Sequence, residues 1–213
     1  MCFSERVSWT TLVVSLAGCA TLASYGIPYL TVLAGFFGVV ACMQLWEALL
    51  WRSKRCDASN ARISDLGAIN NHLEPIALWL LSDALLKPRA PRTVMAMVYT
   101  AVAVYAAVFG FMTWRFMRRP IEERCTRPGP NGGGLIWKWN DFGRMDGLYV
   151  YFLATMLTIV YAYMPRSNAN GIAALFVGSF AVSYGVYRKS STVGAMWCWF
   201  AAFMPWLFVF LQH

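Results

Sequence analysis

Seven apolar runs, at residues 9–25, 27–51, 66–86, 93–116, 148–164, 171–187 and 193–211, are separated by short polar breaks. This pattern constrains the chain more than any other feature. About 20 apolar residues in a helix reach across the roughly 30 Å hydrocarbon core of a bilayer. In lipid the backbone has no water to bond, so each crossing run must be helical. The pattern predicts an all-α, polytopic transmembrane helix bundle with seven spans. It forms one domain over residues 1–213 with a long loop at 117–147. Only 13% of residues are charged and 59% are hydrophobic. A soluble domain carries about 25% charged residues, so much of this surface faces something other than water. Tyr25-Gly26-Ile27-Pro28 suits a tight turn between the first two spans.

Basic residues set an expected orientation. With seven spans, fourteen Lys and Arg fall on one side and four on the other. Excess Lys and Arg in short loops marks the cytoplasmic side. The N-terminus is therefore expected inside and the C-terminus outside, in an integral, multi-pass membrane location. The net charge of +8 is carried by these loops and suits anionic lipid at the cytoplasmic face. No phosphate cradle or base-stacking motif is present, so no nucleic-acid partner is expected. The bilayer is the expected partner, and a homo-oligomer is compatible with the sequence. Trp9, Trp46, Trp51, Trp114, Trp197 and Trp199 fall near the inner ends, as an interfacial belt would. Leu135-Ile136-Trp137-Lys138-Trp139 is expected to lie in the headgroup layer.

Two signals are read as misleading. Leu16-Ala17-Gly18-Cys19 matches a lipoprotein cleavage box, but it also suits a span with a small-residue packing face, which is the preferred reading. The six cysteines have no metal-ligand spacing. Cys2, Cys56 and Cys125 fall on the cytoplasmic side, where thiols stay reduced, and no disulfide is expected.

Ionisable groups inside spans are costly, so they are the leading functional candidates. Glu47 lies about one turn inside the cytoplasmic end of the second span. The third span enters from the same side with Asn70, Asn71, His72 and Glu74, then Pro75. The fifth enters there after Asp141, Arg144 and Asp146. Orientation puts these groups at one depth, as a proton-, cation- or substrate-binding cluster. Glu47 and His72 are its expected pair. Helical glue between spans is the competing reading. Pro75 and Pro205 are expected helix kinks that free the carbonyls of Asn71 and Ala201. Asp83 reads as a solvated helix end. No pattern points to catalytic residues or a metal site, and no cofactor is expected. Covalent retinal needs a lysine deep in a helix. Lys54, Lys87, Lys138 and Lys189 all lie in or at loops.

Met1-Cys2-Phe3-Ser4, the Met43-Gln44-Leu45-Trp46-Glu47 run ending in Leu50-Trp51, and Asn71-His72-Leu73-Glu74-Pro75 together resemble a family of small multispanning membrane proteins. That family occurs in bacteria and in large DNA viruses of algae and protists. The resemblance covers mainly the first three spans and brings no catalytic residues with it. The leading expectation is a channel or transporter for protons, cations or a small solute. The alternatives are a lipid-modifying intramembrane enzyme using Glu47, His72 and Asp146, or a structural or ligand-binding membrane protein without catalysis.

Overall fold

A computed structural model describes residues 4–129, 134–139 and 146–212, the side chains of Asp146 and Ser190 excepted. Helix α1 (Glu5–Ser24) starts at Ser4, whose hydroxyl accepts from Val7 N at 3.2 Å. This N-cap satisfies one of the first unpaired amides. Its buried face is Ser8, Thr11, Ser15, Gly18, Cys19 and Leu22. That spacing makes a stripe of small residues, which lets α2 approach closely. Gly26 turns the chain at φ +65°, a conformation that a side chain disfavours. Pro28 then opens α2 (Pro28–Arg52), a position where its missing N–H costs nothing. Helix α3 (Ala58–Leu85) is capped by Asp57, whose side chain accepts from Ser59 N and Asn60 N.

After α4 (Arg92–Met117) come a single turn, α5 (Ile121–Arg124), and two short antiparallel strands, β1 (Arg127–Pro128) and β2 (Leu135–Ile136). Then follow α6 (Asp146–Tyr163), α7 (Arg166–Tyr187), α8 (Val193–Ala201) and α9 (Met204–Phe210). Among the described residues the fold is all-α apart from that one strand pair.

The helices pack in a closed circuit. In the order α1, α2, α3, α4, α6, α7, α8 each helix packs on the one before it, and α9 returns to α1 and α2. Pairs α3–α6 and α2–α8 pack across the circuit. The Glu5–Arg52 ion pair joins the start of α1 to the end of α2, so these two helices are antiparallel. Closure rests on α9. Trp206 donates to Val14 O at 2.8 Å, and a Cβ on Gly18 would meet the Trp206 ring at 2.9 Å and Pro205 Cβ at 3.0 Å.

Among the described residues, five helical stretches are long and apolar enough to cross a membrane: α1, α2, α4, α7, and α8 with α9. Helix α6 is apolar but shorter. Helix α3 is long, but polar residues interrupt it. Its neighbours α2, α4 and α6 explain that composition, because its polar groups face protein.

Two expectations are overturned here. Cys56 and Cys125 form a disulfide, where no disulfide and two reduced thiols were expected. The segment after α4 folds back onto the start of α3, a long-range contact that spacing alone does not reveal. The rings of Trp137 and Trp139 face protein rather than a headgroup layer. They stack at 5.0 Å between centroids and are 2% and 4% exposed, packed with Phe116, Ala68 and Leu50. Trp51 and Trp197 are also buried, while Trp114 is 52% exposed.

Candidate functional site

Helix α3 distributes its polar side chains among three neighbours. Successive residues turn by about 100°, so Asn70 and His72 point to nearly opposite sides while Asn71 and Glu74 lie close together. Asn70 faces α2, donating to Val39 O at 3.0 Å and accepting from Trp46 Nε1 at 3.4 Å. His72 faces α4, with Nδ1 2.6 Å from Thr113 Oγ1 and its ring edge-on to Phe109. Thr113 Oγ1 also lies 2.8 Å from Phe109 O. A hydroxyl committed to Phe109 O accepts from the Nδ1–H tautomer of histidine, and one turned toward the ring donates to a bare Nδ1.

Pro75 lies inside α3, which continues through it. Proline cannot donate to the Asn71 carbonyl. The next carbonyl, His72 O, accepts from Tyr105 OH at 3.1 Å. Tyr105 thus supports the helix beside its weakest point. Pro205 sits in the first turn of α9, and the seventh apolar run is interrupted at residues 202–203.

Glu74 faces the centre of the circuit. It is 5% exposed, and the Asn71 side chain hydrogen-bonds its carboxyl. Oxygen Oε1 has no hydrogen-bond partner among the described residues. It borders a void of about 20 Å³ walled by Phe36, Phe37, Phe176, Trp197 and Met156. That is room for roughly one water. Charge buried in such surroundings is costly without a positive partner, so the geometry suits a proton or a cation at Oε1.

The expected cluster is therefore not a single pocket. Glu47 is fully buried in α2. It lies seven residues, about 10 Å, nearer the basic end than Val40, which lines the Glu74 void. Residues Asp141 and Arg144 and the side chain of Asp146 lie outside the described part. Asp83 is exposed but accepts from Tyr163 OH at 2.5 Å and Tyr99 OH at 3.2 Å, which ties α4 and α6 to the far end of α3.

No protein-family model, curated protein or solved structure matches this chain. The site is thus read from its own chemistry.

A second polar constellation lies at the basic end. Asn60 donates to Ser53 O at 2.5 Å and Thr126 O at 3.0 Å, and accepts from Thr126 N at 2.9 Å. Ser64 donates to Thr126 Oγ1 at 2.9 Å. Arg124 pairs with Asp65. With the disulfide, these bonds clasp the segment after α4 to the first two turns of α3. Sequence reasoning missed this clasp, as it missed Tyr105 and Thr113. A faint signal existed, since Asn60, Ser64 and Asp65 recur at helical spacing on one face.

Proposed function

We propose that the protein crosses the bilayer seven times, with α8 and α9 together as the seventh crossing, and moves protons, cations or a small solute. Glu74 is the group that binds the moving charge. The observation that carries this reading is a buried carboxyl with one oxygen unpartnered, at mid-length of α3 and inside a closed helix circuit. Intramembrane acids facing a bundle interior characteristically mark ion pathways.

On this reading the basic end is cytoplasmic. Its Lys and Arg side chains sit at the level of anionic lipid headgroups, each worth on the order of 1 kcal/mol near the surface. The Cys56–Cys125 bridge lies at that same end, and structural disulfides are rare in a reducing cytosol. The orientation therefore has a direct check, which is set out with the bridge below.

The test uses the purified full chain in liposomes loaded with a pH-sensitive dye. A potassium gradient with valinomycin supplies the driving force. Wild-type protein should carry protons or alkali cations faster than protein-free vesicles, and Glu74→Gln should slow that flux at least tenfold. Equal flux through both proteins, or none through wild type, would refute proton and alkali-cation transport through Glu74.

A further inference from the structure

The Glu74 void is separated from a second feature only by the side chains of Ser179 and Met204. On the outer surface a groove runs between α7 and the α8–α9 break. One part, about 270 Å³, is walled by Ala174, Leu175, Gly178, Val182 and Phe200. The next, about 480 Å³, shares Ala174 and Leu175 and continues past Leu207 to Asn168 and Gln212 near the end of α9. Ser179 and Met204 line both the first part of the groove and the Glu74 void. They are all that the two spaces share.

Small residues on α7 keep this groove open. An added Cβ at Gly171 or Gly178 would meet nothing within 4 Å. Trp197 holds Ser179 in place by donating to its hydroxyl at 3.1 Å. Met204 is unbranched and flexible, so its side chain can yield to a ligand more easily than a ring. It belongs to the first turn of α9, directly after the interruption at 202–203.

The chemistry of the inner end selects the occupant. One carboxyl with an unpartnered oxygen faces a wall of aromatic rings, those of Phe36, Phe37, Phe176 and Trp197. Aromatic faces attract organic cations, more strongly as water is excluded. A carboxylate supplies the counter-charge. A calcium or magnesium ion would find too few oxygen ligands here, since its usual shell is six or more. An alkyl tail would lie in the apolar groove.

We propose that the protein binds a single-chain organic ammonium compound, whose tail lies along α7 and whose cationic head reaches Glu74 past Ser179 and Met204. This rests on the transport reading and gives it a substrate class.

Radiolabelled decylammonium, whose primary ammonium head is about the size of the one water the void admits, measured against protein in lipid nanodiscs with empty nanodiscs subtracted, tests it. Wild type should bind one ion saturably, and decanol at equal concentration should not displace it. Glu74→Gln should weaken binding at least tenfold, and Glu74→Asp should fall between the two. Gly178→Leu fills the groove without touching Glu74 and should slow association at least fivefold. No saturable binding by wild type, equal competition by decanol, or full-strength binding by Glu74→Gln would each overturn the proposal. Association by a folded Gly178→Leu at the wild-type rate would overturn the route. The liposome assay contains no ammonium compound, so the two readings fail separately. Cation flux without ammonium binding would sink only the substrate class. Ammonium binding without any flux would sink only transport.

Discussion

Replacing both Cys56 and Cys125 by serine should lower the thermal midpoint of the protein by at least about 6 °C. The two residues are separated by 69 positions. If the whole intervening chain were free in the unfolded state, closing that loop would be worth about 4.4 kcal/mol on the chain-entropy relation. Spans in a membrane or micelle keep their helices when tertiary contacts break. The free chain is then only residues 56–57, 86–91 and 118–125, sixteen residues, and the same relation gives about 3 kcal/mol. For a chain of this length each kcal/mol shifts the midpoint by about 2–4 °C. The lower figure sets the minimum. Serine should be tolerated locally, because Cys125 Sγ already lies 3.2 Å from Ile121 O, a partner for a hydroxyl. The assay is thermal unfolding in detergent at one scan rate, with and without reductant. Wild type plus reductant should melt with the double variant. A double variant within about 2 °C of oxidised wild type would refute the argument. So would alkylation of Cys56 and Cys125 in denatured, unreduced protein. The same alkylation in intact cells reports the compartment. A pair found oxidised there places the basic end in an oxidising compartment and overturns its cytoplasmic assignment.

Three further perturbations probe the helix circuit. Gly18→Ala pushes a methyl against Trp206 and Pro205, and Trp206 is held by Val14 O. It should cost about 1–3 kcal/mol, read as a lower melting point, with the loss relieved by Trp206→Phe. Tyr105→Phe removes the hydroxyl from the His72 carbonyl and should cost about 1–3 kcal/mol through the buried acceptor it leaves. An unchanged midpoint would show that the helix beside Pro75 needs no support. Asn60→Ala strips three bonds from the clasp at once. It should expose the segment after α4 to protease under conditions where wild type resists.

Much of this was legible in sequence, for identifiable reasons. Apolar runs predict helices because lipid admits little else, and the structure has helices in all seven places. The small-residue face of α1 was legible because Ser8, Thr11, Ser15 and Gly18 repeat at helical spacing. The polar cluster was only half legible. Depth along a span follows from residue count, but the direction a side chain faces depends on which neighbour the helix meets. Asn70, His72 and Glu74 are near one another in depth and point three ways. The disulfide was not legible at all, since it joins two loops that only the tertiary fold brings together.

The distribution of fastenings implies where this circuit yields most easily. Helices α3 and α4 are tied at both ends, and α6 at its far end. The clasp holds the basic end of α3. At the far end Asp83 binds Tyr99 and Tyr163, and the amides of Arg89 and Ala90 donate to Ala162 O. On the other side Tyr161 donates to Asn170 and Trp206 to Val14 O, and α7 buries only Ala169, Ile172, Ala173, Phe176 and Ser183 along its length, far less than α3 buries. Local opening follows the bonds and apolar contacts that must break, so it should be cheapest on the α7–α9 side. The void beside Glu74 borders that side through Ser179 and Met204. Hydrogen exchange of the protein in nanodiscs should then show faster amide exchange in residues 199–206 than in residues 66–80 of α3. The interruption after α8 alone would speed the few amides at 202–203. Faster exchange extending through both flanking turns is what a yielding wall requires, and protection of those turns equal to α3 would refute it.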